Sequence, residues 1–276
     1  MIKTVLISIL VFASVLGGGF LVLSQMDRMG AYPIQNKDND GIMIAKTAGP
    51  ATRTLNVLFV GNSITYVNDM PAMLVNIASS DPGNTVRLEV KAKTSPDATL
   101  EYLLNGTDAL AYAKAHRFDA IVLQEHDSWY YDLPQIDPAG VWRWANEARS
   151  MGATPVLFEN WADPADGEAY ADNQLATYGH TPEREAEAVL EATDELSGKL
   201  RAPVVKVGAA FERARLTKGA PDPWGPDRHH PSVAGTYLGA LVFYRYFTGR
   251  SGAQSRYRPF GLSNADAKAL VALSGE

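Results

Sequence analysis

The 276-residue chain contains no cysteine. That excludes disulfides, thiolate catalysis, iron–sulfur clusters and cysteine-ligated zinc. It does not fix the compartment, though it is compatible with an oxidising one. Charge of one sign is nowhere concentrated: the net charge is −6, and no block of like charges runs longer than a few residues. Binding phosphate backbones needs a basic surface, so nucleic acid is not an expected partner. No G-x-x-x-x-G-K-[ST] phosphate loop, no G-x-S-x-G elbow and no H-x-x-x-H helix occurs. Those absences remove the common signatures of nucleotide binding, of the α/β-hydrolase nucleophile elbow and of helical zinc sites. Neither a cofactor nor a metal is expected. No internal repeat is present.

The composition, 46% hydrophobic and 20% charged, suits one globular domain with a core of ordinary size. Lys3 precedes an uncharged run from Val5 to Ser24. Its length lies between a signal-peptide core and a short membrane span. Residues 1–24 are therefore expected to be an exported chain's signal peptide or an uncleaved anchor, and in the second case its membrane contact. No clean cleavage site separates the two. Turn formers without a sustained period mark 25–53 as a linker, leaving 54–276 as the folded domain.

Within that domain, apolar runs of strand length alternate with amphipathic stretches of helix length. The expected strands are Leu55–Val60, Val86–Ala92, Ala120–Leu123, Thr154–Phe158 and Val204–Val207. Several are apolar without interruption, as a parallel sheet covered on both faces requires. Helices are expected over Asp69–Ser79, within Ala98–Ala115, and over Pro138–Ser150, Pro182–Leu200, Ser232–Thr248 and Asn264–Leu273. The pattern predicts an α/β protein, a three-layer α/β/α sandwich with a flavodoxin-like, doubly wound parallel sheet of about five strands. Chemistry in such a fold sits beyond the carboxyl ends of the strands.

The first strand ends at Gly61-Asn62-Ser63. A serine at the following helix's first turn can act as a nucleophile, and its own N–H can bind the resulting oxyanion. The same position suits a plain helix N-cap. A nucleophile needs a base, and the chain has five histidines. His116 is expected on the surface, and His180 in a polar loop. Asp227 precedes His230 by three residues, close enough for the carboxylate to fix the imidazole's tautomer. His229, pointing the other way, is expected to be a solvated neighbour.

Gly61-Asn62-Ser63-Ile64-Thr65 with Asp227-Arg228-His229-His230-Pro231-Ser232 resembles the first and last blocks of the SGNH/GDSL hydrolase superfamily. The resemblance covers about residues 54–250. It implies Ser63 as nucleophile, His230 as base and Asp227 as its orienting acid. The middle blocks depart from the pattern. Asp97 stands where the family offers a glycine N–H to the oxyanion. The donor survives in any non-proline residue, but a carboxylate there is unfavourable unless it points away. For the family's asparagine donor, the nearest chemical equivalent is Gln124, and an ungapped match places His126 there instead. The resemblance thus implies an oxyanion hole of Ser63, Asp97 and Gln124 or His126. Asn62 and Trp161 are expected to face the substrate. The aromatic residues Trp129, Tyr130, Tyr131, Trp161, Tyr170 and Tyr178 suit sugar stacking. An exported serine esterase acting on short acyl esters of glycans is the expectation. The alternatives are a lipid esterase or thioesterase, and a catalytically silent binding domain.

Overall fold

The computed structural model describes residues 43–44, 47, 49–126, 139–167, 170 and 181–275. The chain divides into Met1–Gln35, wholly outside the described residues, and Asn36–Glu276. The expected leader 1–24, His180 and the aromatic residues Trp129, Tyr130, Tyr131 and Tyr178 also fall outside them.

The second unit is built on strands β1 (Met43–Ile44), β2 (Arg53–Gly61), β3 (Val86–Thr94), β4 (Ala120–Leu123), β5 (Thr154–Phe158) and β6 (Val204–Val205). They lie in the order β1-β3-β2-β4-β5-β6. All pairs are parallel except β1 with β3. The expected parallel sheet is present, and two residues from within the expected linker 25–53 add an antiparallel edge to it: Met43 opposes Val90, and Ile44 opposes Glu89. After β3 the chain crosses β2 to form β4 on its other side. The crevice at the carboxyl end of β2 is thus the fold's switch point.

The apolar run Val57–Val60 of β2 has a direct reading in the two cores. Val57 and Phe59 face one layer, with Met73, Leu74, Phe211 and Phe243. Leu58 and Val60 face the other, with Leu100, Leu103, Trp144 and Leu196. The strand is buried from Val57 to its end at Gly61, with Val57 to Val60 facing alternate sides. The first layer is carried by α2 (Met70–Ser80), α7 (Val207–Leu216), α8 (Val233–Thr248) and α9 (Asn264–Leu273). The second is carried by α3 (Leu100–Asn105), α4 (Ala109–Ala115), α5 (Ala139–Ser150) and α6 (Pro182–Leu200). Helix α8 is buried without a break from Ala234 to Tyr244 because it packs between sheet and neighbouring helices. Phe243 meets Phe59 and Phe158 edge to face, with ring centroids 5.0 and 5.2 Å apart.

Several boundaries differ by a residue or two from the sequence expectation, and one changes the kind of element. The last strand stops at Val205, and Val207 opens α7. Gly208 donates its N–H to the Glu159 carbonyl (3.1 Å). A Cβ on Gly208 would lie 1.9 Å from the Asn160 carbonyl oxygen. The missing side chain lets the helix begin against the end of β5.

Glu159 is fully buried there. One carboxyl oxygen accepts the Ala209 N–H (2.8 Å), and the other has no partner among the described residues. Burial pushes the carboxyl up to about 7 against the opposing pull of that N–H and of Lys206. A folded-state value above the ordinary 4.5 means stability that is present below 4.5 and lost as pH rises through about 7. Glu159→Gln keeps the acceptor and removes the charge. It is expected to match the wild type in acid and to exceed it by roughly 3 kcal/mol at about pH 8. Denaturant unfolding across that range checks this; equal pH dependence in both proteins would sink it.

Candidate active site

Ser63 opens a single helical turn, α1 (Ser63–Tyr66), at the carboxyl end of β2. The cap of that turn is Asn62, whose side chain accepts the Ile64 N–H (3.0 Å) and donates to the Ala98 carbonyl (3.2 Å). Asn62 is buried and both ends of its amide are engaged, so it braces the turn and does not face a substrate as expected. The Ser63 side chain is therefore not spent on capping.

His230 and Asp227 come from the loop before α8. The loop closes as a small hairpin: Trp224 bridges to Pro231, and Gly225 donates its N–H to the His230 carbonyl (2.7 Å). One Asp227 oxygen accepts the backbone N–H groups of His229 (3.2 Å) and His230 (3.0 Å). The other lies 2.7 Å from His230 Nδ1. His230 Nε2 lies 2.8 Å from Ser63 Oγ. Burial pushes the Asp227 carboxyl up, but the imidazole and the two backbone N–H groups outweigh it and hold it at about 2. Asp227 is thus a permanent anion, and its hydrogen bond sets Nδ1 as the protonated nitrogen and Nε2 as the acceptor facing the hydroxyl.

Two ties join the Ser63 turn to the segment after β3. Ser95 donates its N–H to the Gly61 carbonyl (3.2 Å), and the Ala98 carbonyl is held by Asn62. Asp97 lies between these two anchored residues. Neither the Ser63 nor the Asp97 N–H has an acceptor among the described residues. Asp97 has φ 55°, the left-handed backbone for which glycine is the usual choice.

Gln124 does not occupy the place expected of an oxyanion donor. It is completely buried. Its Oε1 accepts from the Asn62 N–H (2.8 Å) and the Thr65 hydroxyl (3.0 Å), and its Nε2 donates to the Glu125 carbonyl (2.6 Å). Gln124 is a post on which the Ser63 turn is hung. It also explains Gly61, where a Cβ would lie 2.4 Å from Gln124 Oε1. His126 Nε2 is engaged with an Asp97 carboxylate oxygen at 2.7 Å.

Trp161 is not a substrate wall either. It is buried, stacked on Phe211 at 4.0 Å with the rings 2° from parallel, and its Nε1–H donates to the His229 carbonyl (3.1 Å). It supports the histidine loop from behind. His229 is likewise not a merely solvated neighbour. Its Nδ1 lies 3.0 Å from Asp163, and its ring meets that of His230 edge to face. Arg228 pairs with Asp166 and Asp222.

Asn68 belongs to the site's framework and carries no signal in the sequence. It adopts φ 55°, as Asn tolerates, and its Nδ2 donates to the Pro231 carbonyl (2.9 Å) and to Thr236 (3.0 Å). It ties the segment after the Ser63 turn to the His230 loop. Among the described residues no three His, Asp or Glu side chains are grouped to hold a metal, and no helix is long and apolar enough to cross a membrane.

Fold and site together define an α/β/α protein with a serine–histidine–aspartate chain at the switch point of its sheet. No protein-family model and no curated protein matches the sequence. Solved structures do. A Slackia heliotrinireducens protein with a provisional SGNH hydrolase assignment is 26% identical, with a TM-score of 0.58 over 70% of this chain and 99% of its own. A DUF4886 family protein of Bacteroides uniformis is 16% identical, with a TM-score of 0.64 over 80% of this chain and 93% of its own. An acetylxylan esterase of Geobacillus stearothermophilus, solved as a catalytic mutant, is 19% identical, with a TM-score of 0.51 over 77% of this chain and 100% of its own. The last two share the fold. These likenesses support a divergent SGNH/GDSL-like member.

Proposed function

We propose that the protein is a serine esterase. One observation carries the reading: the unbroken hydrogen-bonded chain Ser63–His230–Asp227, with links of 2.8 and 2.7 Å. Ser63 Oγ attacks the ester carbonyl while His230 Nε2 takes the hydroxyl proton. The N–H groups of Ser63 and Asp97 hold the tetrahedral oxyanion. On collapse, the C–O bond to the alcohol breaks and His230 returns the proton to the leaving oxygen. Water then repeats the sequence on the acyl-enzyme, releasing the acid and restoring Ser63. Asp227 stays ionised throughout and stabilises the imidazolium.

The substrate in this proposal is a short acyl ester, such as an O-acetyl group, on a glycan. The fold shared with an acetylxylan esterase supports that choice. So does the exposed carboxylate of Asp97, whose N–H serves the oxyanion in this reading; it suits a polar, hydroxyl-rich alcohol better than a lipid tail. Export, carried by the run Val5–Ser24, belongs to the same proposal. A screen of p-nitrophenyl esters of increasing chain length beside acetylated polysaccharides tests it. Activity is expected on acetyl and other short esters and on the polysaccharides. Activity confined to long chains would replace the glycan assignment with a lipid one, and inertness towards every ester would end the esterase reading.

A further inference from the structure

Asp97 carries two incompatible properties. Its backbone N–H is, in the esterase reading, one of the two that hold the oxyanion. Its side chain is a carboxylate, which would repel that oxyanion. Its charge is already felt at the nucleophile's turn: burial first, then the Asp97 carboxylate, push the Tyr66 hydroxyl up. The structure also shows where the carboxylate is kept. It accepts a hydrogen bond from His126 Nε2 at 2.7 Å, and the Asp97 side chain is 90% exposed.

The histidine is itself held at its base. Glu125 Oε1 accepts the His126 N–H (2.8 Å) and also the Leu100 N–H (3.0 Å), which opens α3. The Glu125 carbonyl in turn accepts from Gln124 and Asn160. The end of β4 and the turn between β3 and α3 are thus locked together, and the His126–Asp97 bond spans the same junction.

We propose that His126 is a positioning residue that holds the Asp97 carboxylate away from the oxyanion site, so that a residue with an anionic side chain can serve as a backbone donor there. This rests on the esterase reading above. The expected arrangement is a coupled pair: His126 matters only because Asp97 is charged. Asn at position 97 would keep the N–H, tolerate the left-handed backbone and carry no charge.

The test is steady-state hydrolysis of p-nitrophenyl acetate by the full chain and by H126A, D97N and D97N/H126A. H126A is expected to lower kcat by about tenfold or more, with KM changed less than about threefold, because the interaction lost acts on the oxyanion. In the D97N background the same substitution is expected to change kcat less than about threefold. An equal loss in both backgrounds would show that His126 acts directly or only supports the fold, and overturns the proposal. So does an H126A enzyme with wild-type kcat. If H126A does not fold, H126Q retains an N–H donor and is expected to stay within about threefold of wild type. A tenfold loss in H126Q that persists in D97N/H126Q overturns the proposal in the same way. A wild-type protein that neither hydrolyses the ester nor takes a fluorophosphonate label removes the esterase reading itself, and this inference with it.

Discussion

Replacing Ser63 by alanine is expected to lower kcat for ester hydrolysis by about four orders of magnitude or more and to leave the protein folded. Both halves follow from the local structure. The hydroxyl's partner is His230 Nε2, so its loss removes the nucleophile and nothing that closes the turn. Capping, which the sequence alone allowed Ser63 to perform, is done by the Asn62 side chain on the Ile64 N–H. The stability change should therefore stay below the roughly 1 kcal/mol typical of a lost cap. The backbone N–H at position 63 survives the substitution, as does that of Asp97, so a small residual rate above water is expected from oxyanion binding. Fluorophosphonate labelling, read by intact mass, should disappear with the activity. Labelling that persists in Ser63→Ala would place the nucleophile elsewhere. A collapsed melting temperature would return Ser63 to a structural role.

How much of this was legible depends on whether a feature is local. The strands were, because burial on both faces of a parallel sheet writes itself as unbroken apolar runs such as Ala120–Leu123. Helix α6 was, because Thr181 caps it, Pro182 opens it and Lys199 lies in its last turn. The expected Asp227–His230 contact was, since three residues on one turn decide it. The start of α7 was not. Val204, Val205 and Val207 read as one strand, and only the approach of Gly208 to the Asn160 carbonyl breaks it. Asn62, Gln124 and Trp161 were assigned to substrate or oxyanion by their place after strand ends. In the structure, partners distant in sequence claim their polar atoms: Ala98 for Asn62, the Asn62–Thr65 turn for Gln124, and the His229 carbonyl for Trp161. Being at a strand end puts a side chain near the crevice. Which way its donors point is settled by hydrogen bonds that no short window contains. The same holds for the Asp163–His229 and Asn68–Pro231 contacts, which join segments 66 and 163 residues apart.

Asp227→Asn should be nearly as damaging as removing the nucleophile, with a loss of about 10⁴ in kcat despite near-identical shape. The argument turns on which way the new amide faces. One Asp227 oxygen accepts two backbone N–H groups, from His229 and His230. An asparagine amide set with its NH₂ group there would place donors against donors. The amide oxygen must therefore take that position, leaving the NH₂ group facing His230 Nδ1. A donor at that point forces Nδ1 to be the unprotonated nitrogen and moves the proton to Nε2. Nε2–H would then donate to Ser63 Oγ when it should accept from it, and the base is lost while every heavy atom keeps its place. Asp227→Ala lacks this fixed donor, so the imidazole can reach the useful tautomer through water. The alanine variant is thus expected to retain more activity than the asparagine variant, reversing the order that side-chain similarity would suggest. The wild-type carboxyl, held at about 2, stays ionised over any ordinary assay range, so it adds no limb to the pH profile of kcat there. Kinetics of the two variants with p-nitrophenyl acetate, beside their melting temperatures, decide the matter. An asparagine variant as active as the wild type would mean that Asp227 only supports the loop.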